Sequence, residues 1–331
     1  MRNPIAIALA VLSLLCATPR FTAAAETVKV AVPNRGVWDT SYTELGLQQG
    51  FFKEQGLDVQ IIHVADEASL EQLLISGNAN IAVAAGFSDV LAAWIEGAPI
   101  RIISPEATGV PDIFWFAKLG GPVASMTDLH GQAVGFSAPG SLSNFILLKL
   151  LEEAGVDDAR LVPIGAADKG YWQVLNAQLG ASWSAPPDLV QYLIAGEIRI
   201  IARGNDSPQV RNQTVRVNAA NAEFLAAHRS AVLGFLRAYK KSVDWAYSGQ
   251  PALEAYAKLS GQGLELVEYT VKNFASKTTA QLDDIKGEDR ALAEALAAKR
   301  IPNALTRKDI RGVYDFVLKQ GSSSAAPHSG R

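Results

Sequence analysis

Short β-rich runs alternate with helical patterns along most of the chain, and that alternation constrains the fold more than any single motif. The runs "VKVAV", "LDVQIIHV", "ANIAVAA" and "IRIIS" are separated by helical patterns over Tyr42 to Gly50, Ser69 to Ile75 and Ser88 to Glu96. A second series begins at "FWFAK" and continues through "GQAVGFS", "ARLVPIG", "ASWSA" and "IRIIARG", with helical patterns over Ser143 to Ala154, Tyr171 to Gln178 and from Asp188. Such alternation predicts a mostly parallel sheet flanked by helices, so the fold class is α/β with two units of similar build. After "VRVN" the pattern predicts helices over Ala219 to Ala227, Arg229 to Tyr247, Pro251 to Ser260, Leu264 to Ala275, Asp289 to Ala298 and Thr306 to Lys319. Two Gly/Pro/polar-rich stretches, "ISPEATGVPDIF" and "ARGNDSPQVRNQTV", bracket the middle unit. Sequential domains and insertion of the second into the first both fit, and paired crossings suit a hinge.

The chain opens with Arg2, the apolar run "IAIALAVLSLLCA" and then "TPRFTAAAE". This is the layout of a secretory signal with an A-x-A site, so residues 1–25 are expected to be removed and the mature chain to start near Glu26. The apolar run is shorter than the ~20 residues of a spanning helix, which favours export over anchoring. The single cysteine, Cys16, follows Leu15 within that segment, and its lipidation is left open. The mature chain then has no disulfide, thiol nucleophile or thiolate metal ligand. Removing Arg2 and Arg20 from the 30 basic residues leaves 28 against 33 acidic, a net charge of −5. Nothing in that balance favours nucleic acid. The tail, 321–331, is polar, small and non-periodic, and is expected to be disordered.

Helix starts carry the first functional signal. Ser41 with Glu44 and Ser69 with Gln72 have capping-box spacing, each directly after a strand. In open α/β sheets ligands bind at the carboxyl ends of the strands, and helix N-termini converging there attract anions. Three loops qualify: Thr40 and Ser41; Gly86 with Ser88 or Asp89 as cap; and Ser137, Gly140, Ser141 and Ser143. Plain capping is the alternative for each. Aromatics give the second signal, since Trp38, Phe87, Tyr171, Trp172 and Trp183 fall in or beside strand-to-helix loops, where they wall a small-molecule pocket or pack the loop. Trp94, Phe145 and Trp245 read as core. Asp168 and Lys169 form either a crevice pair or an exposed loop pair. The histidines, His63, His130, His228 and His328, have no metal-ligand spacing, and neither G-x-S-x-G, G-x-G-x-x-G nor a P-loop occurs. The reading is therefore no catalytic residue, no metal and no cofactor.

The segment "LGLQQGFFKEQGLDVQII" resembles the G-[YF]-F-K-x-x-G-L-D-V element of periplasmic solute-binding proteins of the nitrate/sulfonate/taurine type, a family that includes thiamine-pyrimidine-precursor binders. The resemblance continues through "LLISGNANIAVAAG", "DLHGQAVGF", "PGSLSNFILLKLLEEAGVD" and "FLAAHRSAVLGFLRAYKKSVDWAYS", spanning essentially the whole mature chain. It implies a two-lobed periplasmic-binding-protein fold (type II) with two hinge crossings, lobe 1 from 26–107 and 210–320, and lobe 2 from 108–209. It also implies a monomer that captures a small molecule and delivers it to an inner-membrane ABC permease and ATPase. Family ligand contacts resemble Trp38, Asp39, Thr40 and Ser41; Gly86, Phe87 and Ser88 up to Asp89; Ser137, Gly140, Ser141 and Asn144; and Trp183, Ser184 and Pro186. Two departures touch the ligand: Asn144 stands where many relatives have histidine, and Gly180 where they have aspartate. The family's enzyme branch relies on a cysteine cluster that this mature chain lacks, so the expectation is a binder and not an enzyme. Its ligand is expected to be a small organic anion, sulfonate- or carboxylate-like, with an apolar part against Trp38, Phe87 and Trp183. The alternative is an uncharged or amine-bearing heterocycle, whose amine Asp39 and Asp89 would accept. Presentation of ligand to a membrane sensor kinase is a third possibility.

Overall fold

The computed structural model describes residues 25–33, 35–64, 67–139, 141–297 and 299–318. Residues 1–24 of the signal expected over 1–25, Gly140 and the tail at 321–331 lie outside them. The first run is β1 (Glu26–Pro33), α1 (Tyr42–Gln48), α2 (Phe51–Glu54), β2 (Leu57–Val64), α3 (Glu67–Ile75), β3 (Ile81–Gly86), α4 (Phe87–Ile95) and β4 (Ile100–Thr108). The chain then crosses to β5 (Phe114–Lys118), β6 (Ala133–Phe136), α5 (Leu142–Ala154), β7 (Arg160–Pro163), α6 (Lys169–Leu175), β8 (Ser182–Ser184), α7 (Val190–Ile194) and β9 (Ile198–Arg203). It returns through α8 (Pro208–Arg211) and β10 (Thr214–Asn221), and ends in α9 (Ala222–Ala227), α10 (Arg229–Ala246), α11 (Gln250–Ser260), α12 (Leu264–Phe274) and α13 (Glu288–Ala297).

The first sheet has the order β2-β1-β3-β10-β4. Its β1, β2 and β3 are parallel, while β10 runs antiparallel to both β3 and β4. The neighbours Val30 and Ala31 on β1 enter opposite apolar clusters, as period-two side chains must when both faces are covered. One cluster holds Phe52, Phe235 and Tyr239, the other Leu70, Leu91 and Leu292. On α10 the buried Val232, Phe235, Leu236, Tyr239 and Val243 recur at helical spacing, so one stripe faces the sheet. Gly46 lets α1 lie against it: a Cβ there would fall 2.9 Å from both the Phe52 ring and the Cβ of Ser242.

The second lobe pairs its strands in both directions where a mostly parallel sheet was expected. β6 and β7 are parallel and Val134 forms a parallel bridge to Ala181, but β5 runs antiparallel to β8 and to β9. Its apolar cluster gathers Phe114, Phe116, Tyr171, Val190 and Ile198, and takes in Phe274 from the end of α12. The same helix sends Val267 into the first lobe's core.

Local expectations change in several places. Ser41 makes no capping bond, because a 3-10 turn over Asp39–Ser41 has already turned the chain and the Ser41 hydroxyl donates to the Val37 carbonyl at 2.6 Å. Glu44 instead meets His63 Nε2 at 3.1 Å. Ser69 lies inside α3, which begins at Glu67, so it is not a cap. Gly86 is the N-cap of α4, placing Ser88 and Asp89 within its first turn. Ser141 does cap α5, accepting from the Asn144 backbone N–H. The strand β10 runs on to Asn221, so the helix expected from Ala219 starts at Ala222. Over 306–316 the helix expected from Thr306 to Lys319 gives way to turns and a 3-10 turn, Arg311–Val313, after which Tyr314 bridges to Ile102 and Asp315 N–H donates to its carbonyl. Sheet edge competes with helix there and takes the segment.

Candidate ligand-binding site

The two crossing strands build the centre of the site. Along the antiparallel β4–β10 pair, Ala107 faces Arg216 and Pro105 faces Val217, so Glu106 is the extra residue of a β-bulge. A bulge leaves one residue out of the ladder and re-aims its side chain. Glu106 points into a small cavity of about 50 Å³, lined among others by Trp38, Tyr42, Tyr247, Tyr256 and Phe274. It is only 1% exposed, and neither carboxylate oxygen has a hydrogen-bond partner. Burial, reinforced by the neighbouring Asp112, pushes its pKa up to about 8. An unpaired buried carboxylate is costly, so the group keeps its proton at neutral pH.

The one guanidinium that lines this chamber among the described residues is already engaged. Arg216 pairs with Asp39 and reaches Asp112 at 3.7 Å. Burial lowers the pKa of Arg216 and raises that of Asp112. The second oxygen of Asp39, Oδ1, is buried without a partner. Around these groups the aromatic walls are locked together. Trp38 Nε1 donates to the Tyr247 hydroxyl at 3.0 Å, which lies 2.9 Å from the Tyr42 hydroxyl. Trp38 meets the Tyr256 ring edge-on at 4.9 Å, and the Tyr256 hydroxyl donates to the Gly36 carbonyl at 2.8 Å. Edge-to-face rings with their polar tips satisfied hold a rigid apolar wall.

Arg216 also lines a larger chamber of about 540 Å³ between the lobes. Gly86, Phe87, Ser88 and Asp89 line it from the first lobe and Ser141, Leu142 and Phe145 from the second, so the N-termini of α4 and α5 both face it. Asp89 is paired with Arg300. No helix among the described residues is long and apolar enough to cross a membrane.

The sequence-predicted residues divide clearly. Trp38, Asp39 and Pro186 line the small chamber, and Gly86, Phe87, Ser88 and Ser141 the large one. The others that are described lie outside both. Thr40 and Ser41 are buried and turn their hydroxyls to the Val37 carbonyl, closing the 3-10 turn. Ser137 bonds Ser141 at 2.8 Å and Ser143 at 2.7 Å, a hydroxyl cluster that satisfies itself behind the helix start. Asn144 lies in the first turn of α5, its backbone N–H on Ser141. Trp183 pairs with Trp115 across β8 and β5 and packs between two apolar clusters, and Ser184 donates to the Asp188 carbonyl. Gly140 lies outside the described residues. Of the other aromatics, Tyr171 is core, stacked on Tyr192, while Trp172 is 65% exposed. Glu106, Asp112, Arg216 and the tyrosines of α1, α10 and α11 were not anticipated. For metals, the exposed His130, Asp157 and Asp158 bring one ligand atom each within 4.8 Å, with His130 Nδ1 already 2.8 Å from Asp158.

Two α/β lobes joined by antiparallel crossing strands, with a ligand-sized cleft at the crossing, define the periplasmic-binding-protein fold. The chain belongs to the NMT1/THI5-like family, whose model matches residues 45–252. It is similar in structure to the periplasmic aliphatic sulphonate-binding protein SsuA of Escherichia coli, at 16% identity and a TM-score of 0.71, over 87% of this chain and 92% of that one. The alkanesulfonate-binding protein SsuA of Xanthomonas axonopodis pv. citri, bound to MOPS, gives 15% identity and a TM-score of 0.66, covering 89% and 99%. The periplasmic nitrate-binding protein NrtA of Synechocystis PCC 6803 gives 14% identity and a TM-score of 0.64, covering 90% and 88%. At such identities the likeness carries the fold alone. No match was found among curated proteins.

Proposed function

We propose that this chain is the periplasmic solute-binding component of an ABC importer and that it captures a small amine-bearing heterocycle between its lobes. Family membership and the clamshell fold support the transport role, and one observation carries the ligand class. Glu106 is a buried carboxyl with both oxygens unsatisfied, set in an aromatic-walled chamber. Buried polar groups are normally paired, so an unpaired one aimed into a cavity awaits a partner. An amine head group supplies the missing donors beside the aromatic wall of Trp38, Tyr247 and Tyr256.

One observation favours the organic-anion reading: the N-termini of α4 and α5 face the larger chamber beside Arg216. Its cations are already shared, however, Arg216 with Asp39 and Asp112, and Arg300 with Asp89. Glu71 and Glu294 add carboxyls to the same wall. An anion would have to displace these partners.

Capture works by population shift: ligand bound to Glu106 and the rings on one side bridges to the α5 rim on the other, and favours the closed form. A thermal-shift panel of aminopyrimidines, sulfonates, carboxylates and nitrate tests the ligand. A ligand at a hundredfold its Kd stabilises the folded state by about 2.7 kcal/mol. Shifts with sulfonates or nitrate alone would rule out the heterocycle, and conversion of a hit to product would rule out pure transport.

A further inference from the structure

Glu106 is held differently from the three aspartates of the cleft. Asp39 and Asp112 share Arg216, and Asp89 pairs with Arg300. Among the described residues, no cation or hydrogen-bond donor reaches the Glu106 carboxylate oxygens. The groups that face it are acidic or neutral, namely Asp39 from the turn before α1, Tyr42 from α1, Asp112 from the crossing after β4, and Tyr239 and Tyr247 from α10 and its end, except for Arg216 of β10, whose charge Asp39 and Asp112 already take up. The cavity before it is sized for a head group and not a whole solute, and Arg216 marks where it meets the larger chamber.

We infer that Glu106 is the counter-ion for a protonated amine or amidine head group, and that capture of this cation displaces the carboxyl proton to solvent. In the empty site the carboxyl is neutral, because nothing nearby repays the desolvation of its charge. When an ammonium or amidinium N–H enters, the O–H bond of the carboxyl breaks, the proton leaves to water, and the carboxylate accepts the ligand's hydrogen bonds. One cation enters and one proton departs, so the charge of the closed cleft is unchanged. Glu106 thereby selects against neutral isosteres, which leave it protonated and gain only an uncharged hydrogen bond. The raised pKa of the group agrees with this and places the exchange within the range of ordinary buffers.

This inference rests on the chamber being the ligand site, and the experiment separates the two. Isothermal titration with 4-aminopyridine, a cation at pH 7, and with 4-aminopyrimidine, uncharged there, is run in buffers of different ionisation enthalpy. The expected result is release of close to one proton per bound 4-aminopyridine at pH 7, with affinity rising about tenfold per pH unit from 6 toward 8 and then levelling. The uncharged probe releases none. In Glu106→Gln both the release and the pH slope disappear. Binding of 4-aminopyridine without proton release overturns the exchange but leaves the chamber as the site. Release that persists in Glu106→Gln moves the proton to Asp112 and also overturns it. Absence of saturable binding by either probe overturns both readings. Independently of the variant's folding, infrared difference spectra of the unliganded protein between pH 6 and 9 should show a protonated carboxyl C=O band disappearing. A flat spectrum in that region counts against the proposal.

Discussion

At Glu106 burial and missing hydrogen bonds act on one carboxyl, and the consequence reaches beyond ligand binding. The folded protein holds this proton up to about pH 8, whereas the unfolded chain releases it near 4.5. The folded state therefore binds more protons between those values, and stability falls as pH rises through that window. The difference amounts to at most about 5 kcal/mol by linkage. Glu106→Gln keeps the shape and removes the titration, so its stability relative to wild type should be near parity at pH 4.5 and rise to a gain of several kcal/mol at pH 8.5, read by denaturant unfolding at both pH values. A constant difference would show that Glu106 does not titrate in this way. Trp38 and Asp39 were legible as cleft residues because a loop leaving a strand end has one place to go. Glu106 was not, because its stretch reads as a polar linker and a bulge exists only relative to a partner strand far along the chain. Thr40 and Ser41 were misplaced for a local reason: a 3-10 turn let their hydroxyls close on Val37.

Among elements, the contact of α1 with α10 and the start of α5 are the most exacting. A methyl at Gly46 would press on Phe52 and on Ser242, whose hydroxyl is itself bonded to the Ala238 carbonyl. Gly46→Ala is expected to cost about 1–3 kcal/mol through overpacking, partly restored by adding Ser242→Ala, in thermal unfolding of the single and double variants. Simple additivity would locate the strain elsewhere. At α5, Ser141→Ala removes the cap and should cost about 1 kcal/mol, measured the same way. Strand and helix alternation revealed most elements, since period two and period 3.6 are local properties. Helix starts were less legible: Ser141 caps α5, but α4 is capped by Gly86 and α3 begins before Ser69. Tyr314 escaped altogether, because its bridge to Ile102 is a tertiary competitor that helical periodicity does not register.

Over the whole molecule, two crossing strands are joined by a third link, α12. Phe274 sits in the second lobe's core 5.1 Å from Phe114, with the Arg203 guanidinium 4.4 Å above its ring and bonded to the Asn273 carbonyl at 2.9 Å. Phe274→Ala should loosen this clasp and favour the open form, seen as a larger radius of gyration of the unliganded protein in small-angle scattering and as weaker ligand binding. An unchanged radius would mean that β4 and β10 alone set the angle between the lobes. The strands that carry the crossing also carry Glu106 and Arg216, and the bulge that aims Glu106 interrupts the ladder between them. On the proposed reading, recognition and mechanical compliance share one piece of backbone. A substitution that reshapes this bulge alters both the placement of Glu106 and the spring that opens the cleft, so on that reading selectivity and release rate change together when this protein is engineered or diverges.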